Sequence, residues 1–124
     1  MQFVTLSPDD VVLIHDEVLN EGELPGLARD KSLEGALSRV DFRLAYGLIN
    51  DVFDLAATYA VVIATGHVFN DANKRTAFKA MRLCLHLNHV QLSFETEEIG
   101  RKIIEVAQGN INEIEFAEWL RNLP

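Results

Sequence analysis

The chain has 124 residues, of which 48% are hydrophobic and 24% charged, a composition typical of one soluble globular domain spanning residues 1–124. Its 11 basic and 19 acidic residues give a net charge of −8, which argues against direct binding to nucleic acid, where a basic surface supplies most of the affinity. No secretory signal and no membrane-length apolar run is apparent, and the single cysteine, Cys84, suits a reducing cytoplasm.

In chain order, a first helix is predicted after Ser7, which is a favourable N-cap before Pro8 at the first helical position. A glycine- and proline-containing loop follows. A short helix is then predicted through residues 33–40 and a separate one over 43–50. The most apolar helix should span residues 52–65 and end at Gly66, because glycine readily adopts the left-handed conformation that ends many helices.

A long helix should begin near Asp71 and run to about residue 88. The alternating segment 90–94 is compatible with a short strand that pairs with residues 2–6. Two further helices, 97–109 and 111–123, close the chain, and Asn112 begins the second of them with a capping box. The predicted fold class is all-α, with six or seven helices and at most a marginal two-stranded β piece.

The segment GHVFNDANKRTA, residues 66–77, places polar and charged side chains directly after the most apolar helix. The first turn of a helix leaves backbone N–H groups unpaired and carries partial positive charge, so it binds anions. If the helix starts near Asp71, the N–H groups of Asn73, Lys74 and Arg75 are open to a phosphate. The side chains of Lys74 and Arg75 would add two full positive charges there.

Two further residues complete a set suited to phosphoryl or nucleotidyl transfer to a hydroxyl. His67 is a side chain that can accept a proton near neutral pH. Asp71 offers a carboxylate to Mg²⁺, which usually binds one or two carboxylates together with substrate phosphates. Phe69 is predicted to pin the loop into the core so that His67 keeps its direction.

Structural explanations compete with each of these assignments. His67 alone is compatible with a helix-capping or core-edge histidine, and Asp71 alone with a helix N-cap. Lys74 and Arg75 alone are compatible with a solvated face, and Asn70 and Asn73 with ordinary loop chemistry. His67 and Asp71 would also suit two zinc ligands, but the other histidines, His15, His86 and His89, lie in unrelated segments and supply no obvious third ligand.

The segment HVFNDANKR resembles the signature of the Fic/Doc family, His-x-Phe-x-(Asp/Glu)-Gly-Asn-(Gly/Lys)-Arg. Ala72 stands where many Fic proteins have glycine, and Lys74 where the nucleotide-transferring branch has glycine; both are the form of the Doc branch of toxins. The segments LIHDEVL, LPGLARD, LEGALSRV and EFAEWLRNL also resemble the Doc layout. The matching motif positions are His67, Phe69, Asp71, Asn73, Lys74 and Arg75.

The resemblance implies a compact helical Fic fold in which His67 is the general base and Asp71 holds Mg²⁺ through the nucleotide phosphates. It implies that Asn73, Lys74 and Arg75 shape the anion site, supported by Phe69, Asn70 and Ala72. Doc toxins act as protein kinases that transfer the γ-phosphoryl group of ATP to a threonine of elongation factor Tu, which stalls translation.

The resemblance also implies a small antitoxin partner whose disordered tail folds into a helix in a groove of the toxin. The candidate wall of that groove is the surface near residues 24–27 together with the polar segment 66–77. Two alternatives remain open. One is a Fic-type nucleotidyl transferase (AMPylation) with the same base and metal carboxylate. The other is a non-catalytic binding protein on a Fic scaffold.

Overall fold

The computed structural model describes residues 2–124, which form six α-helices. Within this range there is no strand, and the one β feature is an isolated antiparallel bridge between Leu27 and Phe69. The all-α prediction is confirmed. The helices are α1 (Pro8–Val18), α2 (Leu33–Ala45), α3 (Val52–Gly66), α4 (Asn73–Leu87), α5 (Thr96–Ala107) and α6 (Glu113–Arg121).

Helix α3 is the centre of the molecule, and α2, α4, α5 and α6 pack around it. All ten residues of its segment 55–64 are buried, as expected for a helix that is apolar on every side. Its buried polar residue in this segment, Thr58, donates its hydroxyl to the backbone carbonyl of Asp54 at 2.7 Å. The central helix therefore ends in a fixed position at the surface, where the polar segment begins.

Local sequence signals explain most of the helix starts. Five of the six helices in the described range have a side chain that accepts a hydrogen bond from a first-turn N–H, including the predicted N-cap Ser7 and the predicted capping box at Asn112. Helix α4 begins after Ala72 and has no side-chain cap. The capping residues are Ser7, Ser32, Asp51, Glu95 and Asn112.

The prediction of two helices over residues 33–50 is wrong, because α2 is continuous to Ala45. Gly47 follows with φ 68° and closes the helix: its N–H donates to the carbonyl of Leu44, and the N–H of Leu48 donates to that of Arg43. This is the Schellman pattern, which requires a left-handed residue at that position. The helix count is therefore six.

Two further expectations differ from the structure. Gly66 is the last helical residue, and the left-handed conformation belongs to His67, with φ 50°. Histidine is one of the residue types enriched in that region. Residues 2–6 and 90–94 form no strand pair. Instead, the side-chain amide of Asn88 accepts from Val4 N at 2.8 Å and donates to Val4 O at 2.9 Å, which anchors the N-terminal segment.

The helices of residues 2–124 are not suited to span a membrane. None of them combines the length and the apolar character needed to cross a bilayer.

The buried hydroxyl of Tyr59 generates a stability prediction. It accepts from Leu6 N at 2.7 Å and lies 3.3 Å from Leu6 O, so it pairs both backbone groups of that residue. Tyr59→Phe leaves both groups without a partner and should lower the free energy of unfolding by about 1–3 kcal/mol. Urea denaturation measures this. Tyr46→Phe, at a side chain 69% exposed, is the control and should have little effect; equal losses would contradict the assignment.

Candidate functional site

The motif loop, residues 67–72, joins α3 to α4 and is paired with a facing segment, residues 24–28. The Leu27–Phe69 bridge is the centre of this pairing. Because backbone N–H and carbonyl groups of the two segments are hydrogen-bonded to each other, each segment restrains the other. The flanking hydrogen bonds run from Ala28 N to Val68 O at 2.7 Å and from Asn70 N to Gly26 O at 3.1 Å.

Phe69 points into the core, where it is 3% exposed. Its ring is stacked on the imidazole of His15 in α1, with centroids 3.8 Å apart and planes 8° from parallel. The expectation that His15 lies in an unrelated segment is wrong, because its Nε2 is also 2.8 Å from the backbone carbonyl oxygen of Asp71. Helix α1 therefore contacts the motif loop at two residues.

Asn73, the first residue of α4, fastens the loop from the other side. Its side-chain oxygen accepts from Phe69 N at 3.1 Å and its side-chain nitrogen donates to Phe69 O at 2.9 Å. Between Phe69 and Asn73, Ala72 adopts the left-handed conformation, with φ 64°. This conformation costs a residue with a side chain about 1–2 kcal/mol relative to its preferred one. It is thus a position at which glycine would be unstrained.

The first turn of α4 presents unpaired donors. Thr76 N donates to Ala72 O at 3.0 Å, which is the first bond of the helix ladder. The three N–H groups before it, of Asn73, Lys74 and Arg75, meet no capping side chain. The expected start near Asp71 is thus shifted by two residues, and the three N–H groups named from the sequence are those of the first turn.

The carboxylate of Asp71 is oriented by the facing segment. Its Oδ2 accepts from Leu24 N at 2.8 Å. It is not the N-cap of α4, a position that Ala72 occupies. Residues 2–124 contain no group of three or more His, Cys, Asp or Glu side chains arranged to hold a metal. A single carboxylate with one oxygen still available fits Mg²⁺, which takes much of its coordination from phosphates and water.

Arg75 is the residue whose surroundings the sequence did not indicate. One terminal nitrogen donates to the backbone carbonyl of Val18, and the other pairs with the carboxylate of Glu23. Glu23 also accepts from Asn20 N at 2.7 Å. Arg75 therefore connects α4 to the segment that follows α1. Its guanidinium has five N–H donors, so these contacts leave donors for a phosphate.

The other candidate residues lie on the solvent side of the loop. His67 and Lys74 are exposed. The amide nitrogen of Asn70 donates to Pro25 O at 3.0 Å and to Leu27 O at 3.3 Å, so this side chain holds the facing segment. An exposed histidine can accept a proton from a hydroxyl, and an uncapped helix start that carries a cationic side chain can bind an anion.

Three contributors to the site were not identified as such from the sequence: His15, Glu23 and Leu24. They lie 47 or more residues before the motif positions that they contact, so no local spacing reveals them. The likeness of LIHDEVL and LPGLARD to the Doc layout covers His15 and Leu24, but it concerns whole segments and assigns no contact to either residue.

The fold and this loop define a compact all-α protein in which an uncapped helix start follows a restrained loop. The model of the Fic/DOC family matches residues 5–85, which is more than half of the chain. The chain is also 40% identical over 119 residues to the "Protein kinase doc" of Escherichia phage P1, covering 95% of this chain and 94% of that protein. The chain belongs to the Fic/DOC family.

The contact between Arg75 and Glu23 generates a pH-dependent prediction. The hydrogen bond from Arg75, followed by that from Asn20 N–H, holds the pKa of Glu23 below its ordinary value of 4.5. The ionised carboxylate therefore stabilises the fold above pH 4.5, and this contribution is lost as the pH falls through the lowered folded-state pKa. Glu23→Gln should lower the melting temperature at pH 7, and the difference from the parent should shrink below pH 4.5.

Thermal melts of the parent and Glu23→Gln across this pH range measure the effect. Glu21→Gln, an exposed carboxylate two residues away, is the matched control and should show no such convergence. A difference between the parent and Glu23→Gln that stays constant with pH would contradict the role of the ionised pair.

Proposed function

We propose that this protein is a toxin that transfers the γ-phosphoryl group of ATP to a threonine hydroxyl of elongation factor Tu, which blocks translation. The observation that carries the proposal is the uncapped first turn of α4, with Lys74 and Arg75 on it and His67 at the other end of the same loop. The relative from phage P1 is named a protein kinase, and this chain is 40% identical to it over 119 residues.

The nucleotide phosphates would bind at the start of α4. The N–H groups of Asn73, Lys74 and Arg75 supply three donors at the positive end of the helix. The Lys74 side chain is exposed and adds a full charge, and Arg75 adds its remaining donors. Because Asn73 and Ala72 fix the turn, these donors are oriented before ATP arrives, which favours stabilisation of charge that develops during transfer.

His67 would accept the proton of the threonine hydroxyl as its oxygen attacks the γ-phosphorus, while the bond from that phosphorus to the β–γ bridging oxygen breaks and ADP leaves. Its left-handed backbone turns it out of α3 at the surface, where a protein substrate can approach. The buried Phe69, two residues on, limits how far His67 moves. Mg²⁺, when bound at Asp71 and the phosphates, would neutralise part of their negative charge.

Lys74 supports phosphoryl over nucleotidyl transfer. A side chain at this position fills space that glycine would leave open and adds charge where phosphates bind. We propose that it reverses the end of the nucleotide that faces His67. This part of the proposal rests on the Doc-type residues Ala72 and Lys74 in the motif.

A small antitoxin with a disordered tail is the partner that fits this function, and the cytoplasm is the compartment of both. Leu24 and Leu27 are large apolar side chains exposed on the facing segment, which supports this surface as the docking wall. A groove of about 430 Å³ along α4 is a second candidate, since Lys79 and Arg82 flank apolar residues such as Phe94 in it.

The proposal is tested by incubating elongation factor Tu with this protein, Mg²⁺ and ATP, and measuring the intact mass of the target. We expect a gain of one phosphoryl group. His67→Ala should reduce the rate about 10²–10⁴-fold, the range typical of a lost general base. His89→Ala is the matched control, because His89 is also exposed and left-handed (φ 66°) but follows the other end of α4.

A gain of one nucleotidyl group instead would contradict the kinase assignment and support the Fic-type transferase. An effect on translation that survives His67→Ala would contradict both enzyme assignments and support a non-catalytic binding protein.

The role of Lys74 has its own test. Lys74→Gly should reduce phosphoryl transfer about 100-fold, because a preorganised charge at the phosphates is removed, and should raise the share of nucleotidyl product. ATP labelled either in the γ-phosphate or in the adenine distinguishes the products. Lys74→Ala separates loss of charge from added backbone freedom, and Lys79→Ala controls for charge elsewhere on α4. Unchanged phosphoryl transfer in Lys74→Gly would contradict this role.

A further inference from the structure

Helix α1 contains a histidine, His15, whose polar imidazole is buried. His15 is 1% exposed, although it can form hydrogen bonds at both ring nitrogens. A buried polar side chain is costly unless it has a hydrogen-bond partner. Besides the hydroxyl of Tyr59, which pairs with Leu6, the buried polar side chains in the described range are those of His15, Thr58 and Thr76, and the two threonines donate to carbonyls four residues earlier in the chain. His15 instead reaches across 56 residues of sequence.

The partner of His15 defines which ring nitrogen carries the proton. Nε2 lies 2.8 Å from the carbonyl oxygen of Asp71, and a carbonyl oxygen can only accept. Nε2 is therefore the donor. The ring plane is fixed at the same time, because it is stacked within 8° of parallel on Phe69. Packing sets the direction of the imidazole, and the imidazole sets the direction of the Asp71 carbonyl.

The Asp71 carbonyl belongs to the peptide bond that leads into Ala72. Ala72 is left-handed and α4 has no side-chain cap; Asn73 and Thr76 of α4 bond to Phe69 and to the Ala72 carbonyl, whereas the Asp71 carbonyl is bonded by His15. Rotation of the peptide would move the Asp71 side chain and the N–H groups of the first turn together. The Leu24 N–H restrains the carboxylate, and His15 restrains the backbone.

We propose that His15 is a positioning residue for the phosphoryl-transfer site, acting through its hydrogen bond to the Asp71 carbonyl rather than through its volume in the core. It touches neither substrate nor the reacting atoms. This inference rests on the proposed function for its effect on turnover, but its effect on the loop does not depend on that function.

Two substitutions separate the hydrogen bond from the packing. His15→Gln keeps a donor at nearly the same reach and loses the ring. His15→Phe keeps an aromatic ring against Phe69 and loses the donor. If His15 is only a packing residue, His15→Phe retains more activity than His15→Gln. If the hydrogen bond positions the loop, the order is reversed, whichever variant is thermally more stable.

Two readouts are needed on the full-length chain. The first is turnover with saturating ATP and Mg²⁺: His15→Phe should lose about 10–100-fold in kcat, typical of lost outer-shell support, with KM for the target protein little changed. The second is amide hydrogen exchange of the segment 67–76 without nucleotide. Exchange should be about tenfold faster or more in His15→Phe and near the parent rate in His15→Gln, since one hydrogen bond restrains the turn.

His86→Gln and His86→Phe, at an exposed histidine of α4, control for the substitutions themselves. Slower turnover in His15→Gln than in His15→Phe, or unchanged exchange in His15→Phe, would overturn the proposal. If the parent transfers no phosphoryl group at all, the proposed function fails, and the exchange measurement still decides whether His15 positions the loop.

Discussion

The buried Phe69 is the residue on which the rest of the site depends. It joins the loop between the two most closely packed helices to α1, and the other restraints start from it. Asn73 bonds both backbone groups of Phe69, and the facing segment pairs with the same residue through Leu27. Two left-handed residues, His67 and Ala72, flank this fixed point. Such conformations persist only where surrounding contacts over-determine them.

This arrangement explains why the most polar segment follows the most apolar helix. Helix α3 is buried on all sides, so its end is a rigid platform. The two residues between the end of α3 and Phe69 have little conformational freedom, because Phe69 is again buried in the core. Helix α4 then begins without a cap, and the donors that a capping side chain would occupy stay available for an anion. The buried helix α3 and the buried Phe69 thus hold in place a helix start whose N–H groups are uncapped.

Local chemistry could be predicted from the sequence, and long-range contacts could not. Caps such as Ser7 and Asn112 depend on residues three apart and were recognised. The continuity of α2 was missed because its stop, Gly47, lies beyond a polar stretch that resembles a break. The role of Asn88 as an anchor of the N-terminal segment depends on a partner 84 residues away. The same limit applies to His15, because the sequence of an amphipathic helix does not indicate which loop its histidine contacts in the fold.

Amide chemical shifts of the ¹⁵N-labelled protein during titration with Mg²⁺ and ATP would test the central claim most directly, because they report on each backbone N–H separately. A phosphate site at the start of α4 predicts the largest shifts at Asn73, Lys74 and Arg75, in the uncapped first turn of α4, and small shifts at the capped start of α5. Shifts concentrated away from α4's first turn, for example along the groove beside Lys79, would contradict it.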